Sequence, residues 1–391
     1  MLVLNGGSST VKFALYSGEG PRQMRRLGGK IDRIGSGDMS LSFVDAAGGR
    51  HGEVALPRGD AASAVSAVFD WLEAEVGLDS IVAVGHRIVH GMTHVEPEVL
   101  TPTLIESLRG IAPVDPDHLP MEIALIEAVS LRHPHLLQVC CFDTAFHRSM
   151  PRVAQLLPIP RRYDALGIRR YGFHGLSYAY LMEELARRAG APAASGRIVL
   201  AHLGSGASLV AVRDGQSVDT SMSFTPTAGL PMATRSGDLD PGLAAYLARA
   251  EQMSSQRFFA MASHESGLLG VSETSADMRD LLANESRDVR AAEAVALFCY
   301  QAKKWIGAYA AVLGGIDTIV FAGGVGENAA PVRARICEGL GFLGVELNHT
   351  YNDAHADVIS SASSGVTVRI IRTDEESMIA RSVSQVLHLR K

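Results

Sequence analysis

Cysteine is scarce in this chain, with only Cys140, Cys141, Cys299 and Cys337 among 391 residues. Their positions fit neither a disulfide framework nor a metal-ligand spacing, and the adjacent pair lies in the apolar run "LLQVCC", which points to the core of a reduced, cytoplasmic protein. Long apolar stretches are also missing: no run of 18 residues could span a bilayer, so no membrane partner is expected. Nor does a basic segment followed by an apolar one open the chain, so no signal peptide is expected. An excess of positive charge is lacking too. Lys and Arg total 36 against 42 Asp and Glu, a net charge of −6, which argues against nucleic acid as a partner while leaving room for a local basic pocket.

What is present is a globular composition, 47% hydrophobic and 20% charged, with 39 glycines that imply many tight turns. The length suggests two domains of ordinary size. Helical spacing with an N-cap and a glycine stop marks 60–76, and Thr101-Pro102 starts a shorter helix. Further helices are expected near 121–132, 177–189, 242–251, 291–313 and 331–340, with a last one from about Asp374. Strands are expected at 136–142, 316–322 and 366–371, and "IVAVGHRIVHG" (81–91) reads as a strand running into a loop. Strands and helices alternate throughout, so the fold class is α/β.

The first residues, "LVLNGGSSTVKFALY", set Gly6-Gly7-Ser8-Ser9-Thr10 between two strand-like runs. Such a turn is either merely flexible or a cradle in which glycine amides, hydroxyls and Lys12 meet an anion. The design returns about 200 residues later in "VLAHLGSGASLVAVRDG". A third glycine segment, "IVFAGGVGENAAPVR", follows a strand and opens a helix, the geometry in which backbone amides meet a nucleotide. Two such hairpins, one in each half, suggest duplicated halves serving one polyanion. Three unrelated strand turns in a glycine-rich chain are the plain alternative.

These segments, with "GHRIVHG", "FDTAFH", "RRYGFHGLSY", "DTSMSFTPTAGLPMATRSGDLDPG" and "TDEE", occur in an order that resembles the acetate kinase family of the actin/sugar-kinase/Hsp70 superfamily over nearly the whole chain. The resemblance implies two related domains of the actin-like, ribonuclease H-like fold with an active-site cleft between them. It places one domain at 1–145 plus a returning helix at 372–391, and a nucleotide-binding domain at 146–371. It implies reversible transfer of a phosphoryl group between ATP and acetate, with propionate or another short carboxylate as the alternative acceptor. A nucleotide-binding switch without acyl transfer is a third reading, which active-site arginines speak against. The resemblance also implies a homodimer.

The chemistry is demanding in one respect only. A carboxylate is already ionised at neutral pH and needs no general base, but two anions must meet, so cationic and neutral donors and Mg²⁺ are required. By resemblance Arg87, Arg235, Asp143 and His174 are the catalytic residues. Arg87 also binds the substrate, with Val89, Phe173 and Pro226 walling the acyl group. Lys12, His202, Gly204, Ser205, Gly206, Asp277, Met278, Arg279, Gly324, Val325, Gly326 and Asn328 serve ATP. Asn5 and Glu375 serve Mg²⁺, for which Mn²⁺ could substitute.

Several positions depart from the family pattern. "APVDPDHL" (112–119) stands where "APLHNPPN" is usual, so Asp115 replaces a histidine that touches the phosphoryl group and Val114 a leucine of the acyl pocket. Ser205 stands for asparagine, Ala233 for glycine and Tyr178 for histidine. A carboxylate at position 115 would repel a phosphoryl group. The shifted prolines predict a re-routed loop in which His118 enters the site and Asp115 turns outward, the alternative being that Asp115 faces the site.

Overall fold

The computed structural model describes residues 1–7, 10–18, 23–35, 37–45, 51–78 and 81–388. Ser8 and Ser9 of the opening loop lie outside the described residues. The chain forms two compact units, Met1–Ala145 with Asp374–Lys391, and Phe146–Thr373.

The first unit holds an eight-stranded sheet built from β1 (Leu2–Gly6), β2 (Val11–Ser17), β3 (Met24–Asp32), β4 (Met39–Asp45), β5 (His51–Leu56), β6 (Ala83–Ile88), β7 (Glu98–Val99) and β8 (Leu137–Phe142). Their order is β5-β4-β3-β2-β1-β6-β8-β7. The second unit holds β9 (Arg197–Leu203), β10 (Ala207–Arg213), β11 (Gln216–Thr220), β12 (Thr318–Ala322) and β13 (Thr367–Ile370), in the order β11-β10-β9-β12-β13. The two sheets share one wiring. An antiparallel run of three (β3-β2-β1, or β11-β10-β9) continues into two parallel strands reached by crossovers (β6-β8, or β12-β13). Both glycine hairpins therefore sit at the same place in the wiring, between the first and second strands of each sheet.

Apolar pattern explains the layers. All five residues of β1 are buried, as befits a strand covered on both faces. Helices α1 (Ala61–Val76) and α3 (Leu119–Arg132) cover one face through Phe69, Leu72, Leu125 and Val129, packed with Phe13 and Leu4. Helix α2 (Pro102–Ile111) adds Leu104 and Leu108 beside Ile88 and Phe142. Asp60 caps α1 by accepting from the Ser63 amide at 2.9 Å, and Thr101 caps α2 likewise. The C-terminal helix Glu375–His388 covers the opposite face. It packs so closely on β6 that a Cβ at Gly85 would lie 2.6 Å from Ile379 and 2.7 Å from Val383. In the second unit α4 (Gly175–Ala189) packs Leu181 and Leu185 on Leu200, Val210 and Val320. The 25-residue α5 (Val289–Leu313) buries Phe298, Ile306 and Tyr309.

Three differences from the sequence reading have physical causes. The sequence reading places no strand at β3–β5: Gly28-Gly29 interrupts β3, β4 offers only a short alternation of Met39, Leu41 and Phe43 with serines, and β5 is exposed at most positions. The third glycine segment is not a loop leading to a helix but a short helix itself, α6 (Gly323–Asn328). The helix after it stops at Cys337, two residues before Gly339, whose φ is +77°. All four cysteines are buried and unpaired. Among the described residues no helix is long and apolar enough to cross a membrane.

Candidate active site

In the first unit, parallel pairing of β1, β6 and β8 brings three carboxyl-terminal ends together, the end at which α/β sheets present ligand groups. Asn5 sits next to last in β1 and Arg87 next to last in β6, and Asp143 follows β8, its amide donating to the Ile88 carbonyl at 2.9 Å. Arg87 donates to Asp143 Oδ2 from Nη2 at 2.5 Å and from Nε at 3.1 Å, and Asp143 is fully buried. Burial works against the guanidinium charge, but the carboxylates of Asp143 and Glu375 outweigh it and hold Arg87 above its ordinary range. Nη1 of Arg87 lies 3.5 Å from both Asn5 Oδ1 and the Gly6 carbonyl.

Asn5 Nδ2 donates to Glu375 Oε2 at 3.1 Å and to Glu376 Oε1 at 3.0 Å. Two carboxylates from the far end of the chain thus converge on the Asn5 amide group, and their oxygens are hard donors of the kind that suits Mg²⁺ or a similar divalent ion, while the Asn5 oxygen faces Arg87. Among the described residues no group of three His, Cys, Asp or Glu could hold a metal unaided. A bound ion would therefore complete its shell with water and nucleotide oxygens. Lys12 faces Asn5 directly across β1–β2, on the same side of the sheet, and is exposed.

Sequence reasoning missed Glu122. This α3 residue is buried, and both of its carboxyl oxygens accept from the Val89 amide, at 3.0 and 3.2 Å. Burial pushes its pKa up to about 8, against the pull of Arg87 and the Val89 amide. Val89 itself is buried. The expectation that Asp115 turns outward is corrected here. Asp115 is 3% exposed, and its Oδ1 takes a 2.9 Å bond from His118 Nδ1. In this segment Ala112–Val114 forms a 3₁₀ turn and Pro120 falls in the first turn of α3. The result is a buried Asp–His pair, with Asp115 close enough to Glu122 to raise its pKa further.

In the second unit the β9–β10 turn Gly204-Ser205-Gly206 closes with the Gly204 amide on the Gly206 carbonyl at 3.0 Å, and Ala233 donates to Ser205 O. His174 precedes α4 with φ +59°, an uncommon conformation for a residue with a side chain. Its ring stacks on His202 at 4.2 Å, and its Nδ1 is 2.9 Å from Ser208 Oγ. A Cβ at Gly206 would lie 3.2 Å from His174 Nε2 and 3.8 Å from Arg235 Nη1, so glycine here keeps the turn open to both. Arg235 Nη1 also donates to the carbonyl of buried Pro226 at 3.2 Å. Phe173 is buried, and its carbonyl accepts from His147 Nε2 at 3.0 Å. One cluster therefore gathers His174, His202, Gly206, Arg235 and Pro226.

Gly323 has φ +76°, and a Cβ there would meet the Leu203 carbonyl at 2.7 Å, so β9 and the start of α6 touch backbone to backbone. Gly204 and Gly324 adjoin, a Cβ on the former lying 3.8 Å from the amide of the latter. The Gly323 amide is committed to Glu327 Oε1, which also accepts from Thr373. Asn328 Nδ2 donates back to the Gly324 carbonyl, and Val325 and Gly326 lie between them. Asp277 caps the helix Met278–Asn284, its amide donates to Ser275 Oγ and its carboxylate pairs with exposed Arg279, while Met278 is buried.

The acetokinase family profile matches residues 1–381. An acetate kinase of Methylocella silvestris is 42% identical, with 99% of this chain and 98% of that protein aligned. The crystal structure of Porphyromonas gingivalis acetate kinase is similar with a TM-score of 0.89 and 34% identity, covering 99% of both chains. A propionate kinase from Francisella tularensis matches with a TM-score of 0.91 and 34% identity over 97% of this chain and 98% of that one.

Proposed function

Because the chain belongs to the acetokinase family, we propose that it transfers the terminal phosphoryl group of ATP reversibly to acetate, giving acetyl phosphate and ADP. The observation that supports this reading is that each unit holds an arginine close, along the chain or in space, to a small buried apolar residue. Arg87 stands two residues from buried Val89, and Arg235 rests on the carbonyl of buried Pro226. A charged fork next to a methyl-sized wall is what a short carboxylate needs for orientation.

The carboxylate attacks phosphorus as it stands, the bond to the ADP oxygen breaks, and no proton has to be removed first. Arg87 holds the carboxylate and Asp143 orients Arg87. His174 Nε2 and Arg235 Nη1, both facing the Gly206 turn, donate to the phosphoryl oxygens as charge spreads over them. Gly204, Ser205 and Gly206 leave room for the phosphates. His202, Lys12, the Gly324–Asn328 segment and Asp277–Arg279 serve the rest of the nucleotide. Mg²⁺, with Mn²⁺ as substitute, would neutralise phosphate charge when held by Asn5 and Glu375. The protein works as a cytoplasmic homodimer in this reading.

Hydroxylamine trapping of acyl phosphate, run with C1–C4 carboxylates, ATP and Mg²⁺, tests it. Acetate should give the highest kcat/KM, with propionate next, since one methylene is worth about 1–3 kcal/mol. Failure of every carboxylate to yield hydroxamate would sink the reading.

A further inference from the structure

We propose that Tyr178, acting through Ser208, is a positioning residue that fixes the tautomer of His174 with its proton on Nε2. Tyr178 lies one helical turn beyond His174, its amide donating to the His174 carbonyl at 3.0 Å, and its ring is fully buried. Its hydroxyl makes a short hydrogen bond to Ser208 Oγ, and the same Oγ is 2.9 Å from His174 Nδ1. Ser208 is also fully buried, on β10 directly opposite His202.

A serine hydroxyl has one proton to give and lone pairs to receive with. If the Tyr178 phenol donates to Ser208, the serine proton goes to His174 Nδ1, which must then be bare, so the ring proton sits on Nε2. Nε2 is the nitrogen that faces the Gly206 turn. The reverse polarity would aim a lone pair at that turn and repel any phosphoryl oxygen brought there. The neighbouring ring is braced as well: His202 Nδ1 is 2.8 Å from Ser177 Oγ, which reaches Thr373 Oγ1 at 2.7 Å. Each ring of the stacked pair thus has its Nδ1 held by a serine hydroxyl. Tyr178 stands where the resemblance expects histidine, so this chain arrives at the fixed tautomer with a phenol.

The inference rests on the phosphotransfer reading for its purpose but not for its test. The full chain is labelled with ¹⁵N-histidine, and His174 is assigned by loss of its signals in His174→Asn. At neutral pH the wild type should show a bare Nδ1 and a protonated Nε2. Tyr178→Phe keeps the ring and should convert that pattern to a mixture, as should Ser208→Ala. In acyl-phosphate assays Tyr178→Phe should lower kcat about tenfold, the size of one lost hydrogen bond, with KM for ATP within about twofold. A protonated Nδ1 in the wild type, or an unchanged pattern in folded Tyr178→Phe, overturns the proposal. Should the wild type form no acyl phosphate, the phosphotransfer reading fails while the ¹⁵N pattern still decides the role of Tyr178.

Discussion

Arg87 gives both Nε and Nη2 to a single oxygen of Asp143, Oδ2. The convergence swings the guanidinium plane so that Nη1 is left over toward Asn5 and Gly6. A lysine cannot reproduce this, having one ammonium instead of a planar fork. Arg87→Ala and Arg235→Ala should each lower kcat by about 10²–10³-fold, matching the ~3–4 kcal/mol of a lost transition-state contact. Arg87→Lys should recover little of it. Steady-state rates with Tm as a folding control provide the measurement, and full activity in either alanine variant would place the acyl site elsewhere.

Gly206 offers a steric test. Its backbone is not in the left-handed region, so a side chain there is barred by neighbours and not by φ. Gly206→Val should leave Tm nearly unchanged while pushing His174 and Arg235 aside, which weakens ATP binding and turnover together. Calorimetric titration with a nonhydrolysable nucleotide would show it, and unchanged affinity would remove the turn from the site.

Glu122 makes stability depend on pH in a stated direction. Its pKa stands at about 8 in the fold, above the ordinary carboxylic value, so the folded state holds a proton that the unfolded chain releases. The stability this provides is fully present below about pH 4.5 and is lost as pH rises toward 8. Glu122→Gln carries no such group. The Tm of the variant should gain on the wild type between pH 5 and pH 8.5, and parallel curves would mean that Glu122 is ionised throughout.

The Asp115–His118 pair is a stability element first. His118→Ala would leave a buried carboxylate without its partner, at a cost of ~3–5 kcal/mol, whereas Asp115→Asn in the His118→Ala background should restore most of it. Denaturant unfolding of the single and double variants gives the coupling. Additive effects would mean that the two side chains act independently.

The sequence makes the ends of strands easier to read than the interior of helices. Asp143 after "LLQVCCF" is visible because an apolar run stops at a charged residue, and Arg87 in "GHRIVHG" because its motif carries the family resemblance. Glu122 is invisible by the same logic, since an acid within "LPMEIALIEA" looks like any solvent-facing helix position, and only the approach of α3 to Val89 shows that it is buried. The outward reading of Asp115 rests on repulsion of a phosphoryl group and on the shifted prolines, while the partner that allows burial lies three residues on. Strands β3–β5 escape because the core residues Leu27, Ile31, Met39 and Leu41 are separated by glycines and polar residues and β5 is mostly exposed. The duplicated wiring was legible from the two glycine hairpins alone.

The bond from Asn5 to Glu375 joins residues 370 positions apart, and the whole Phe146–Thr373 unit is threaded between them. A ribosome releases the second residue of that pair only after the whole inserted unit. That unit is continuous in sequence and has all its strands before Asp374 is made, whereas the β6 face around Gly85 waits, uncovered, for Ile379 and Val383. The unit that holds β1 is therefore completed after the one inserted into it. A stop codon shortly before Asp374 would damage the N-terminal sheet more than the domain in which the truncation falls.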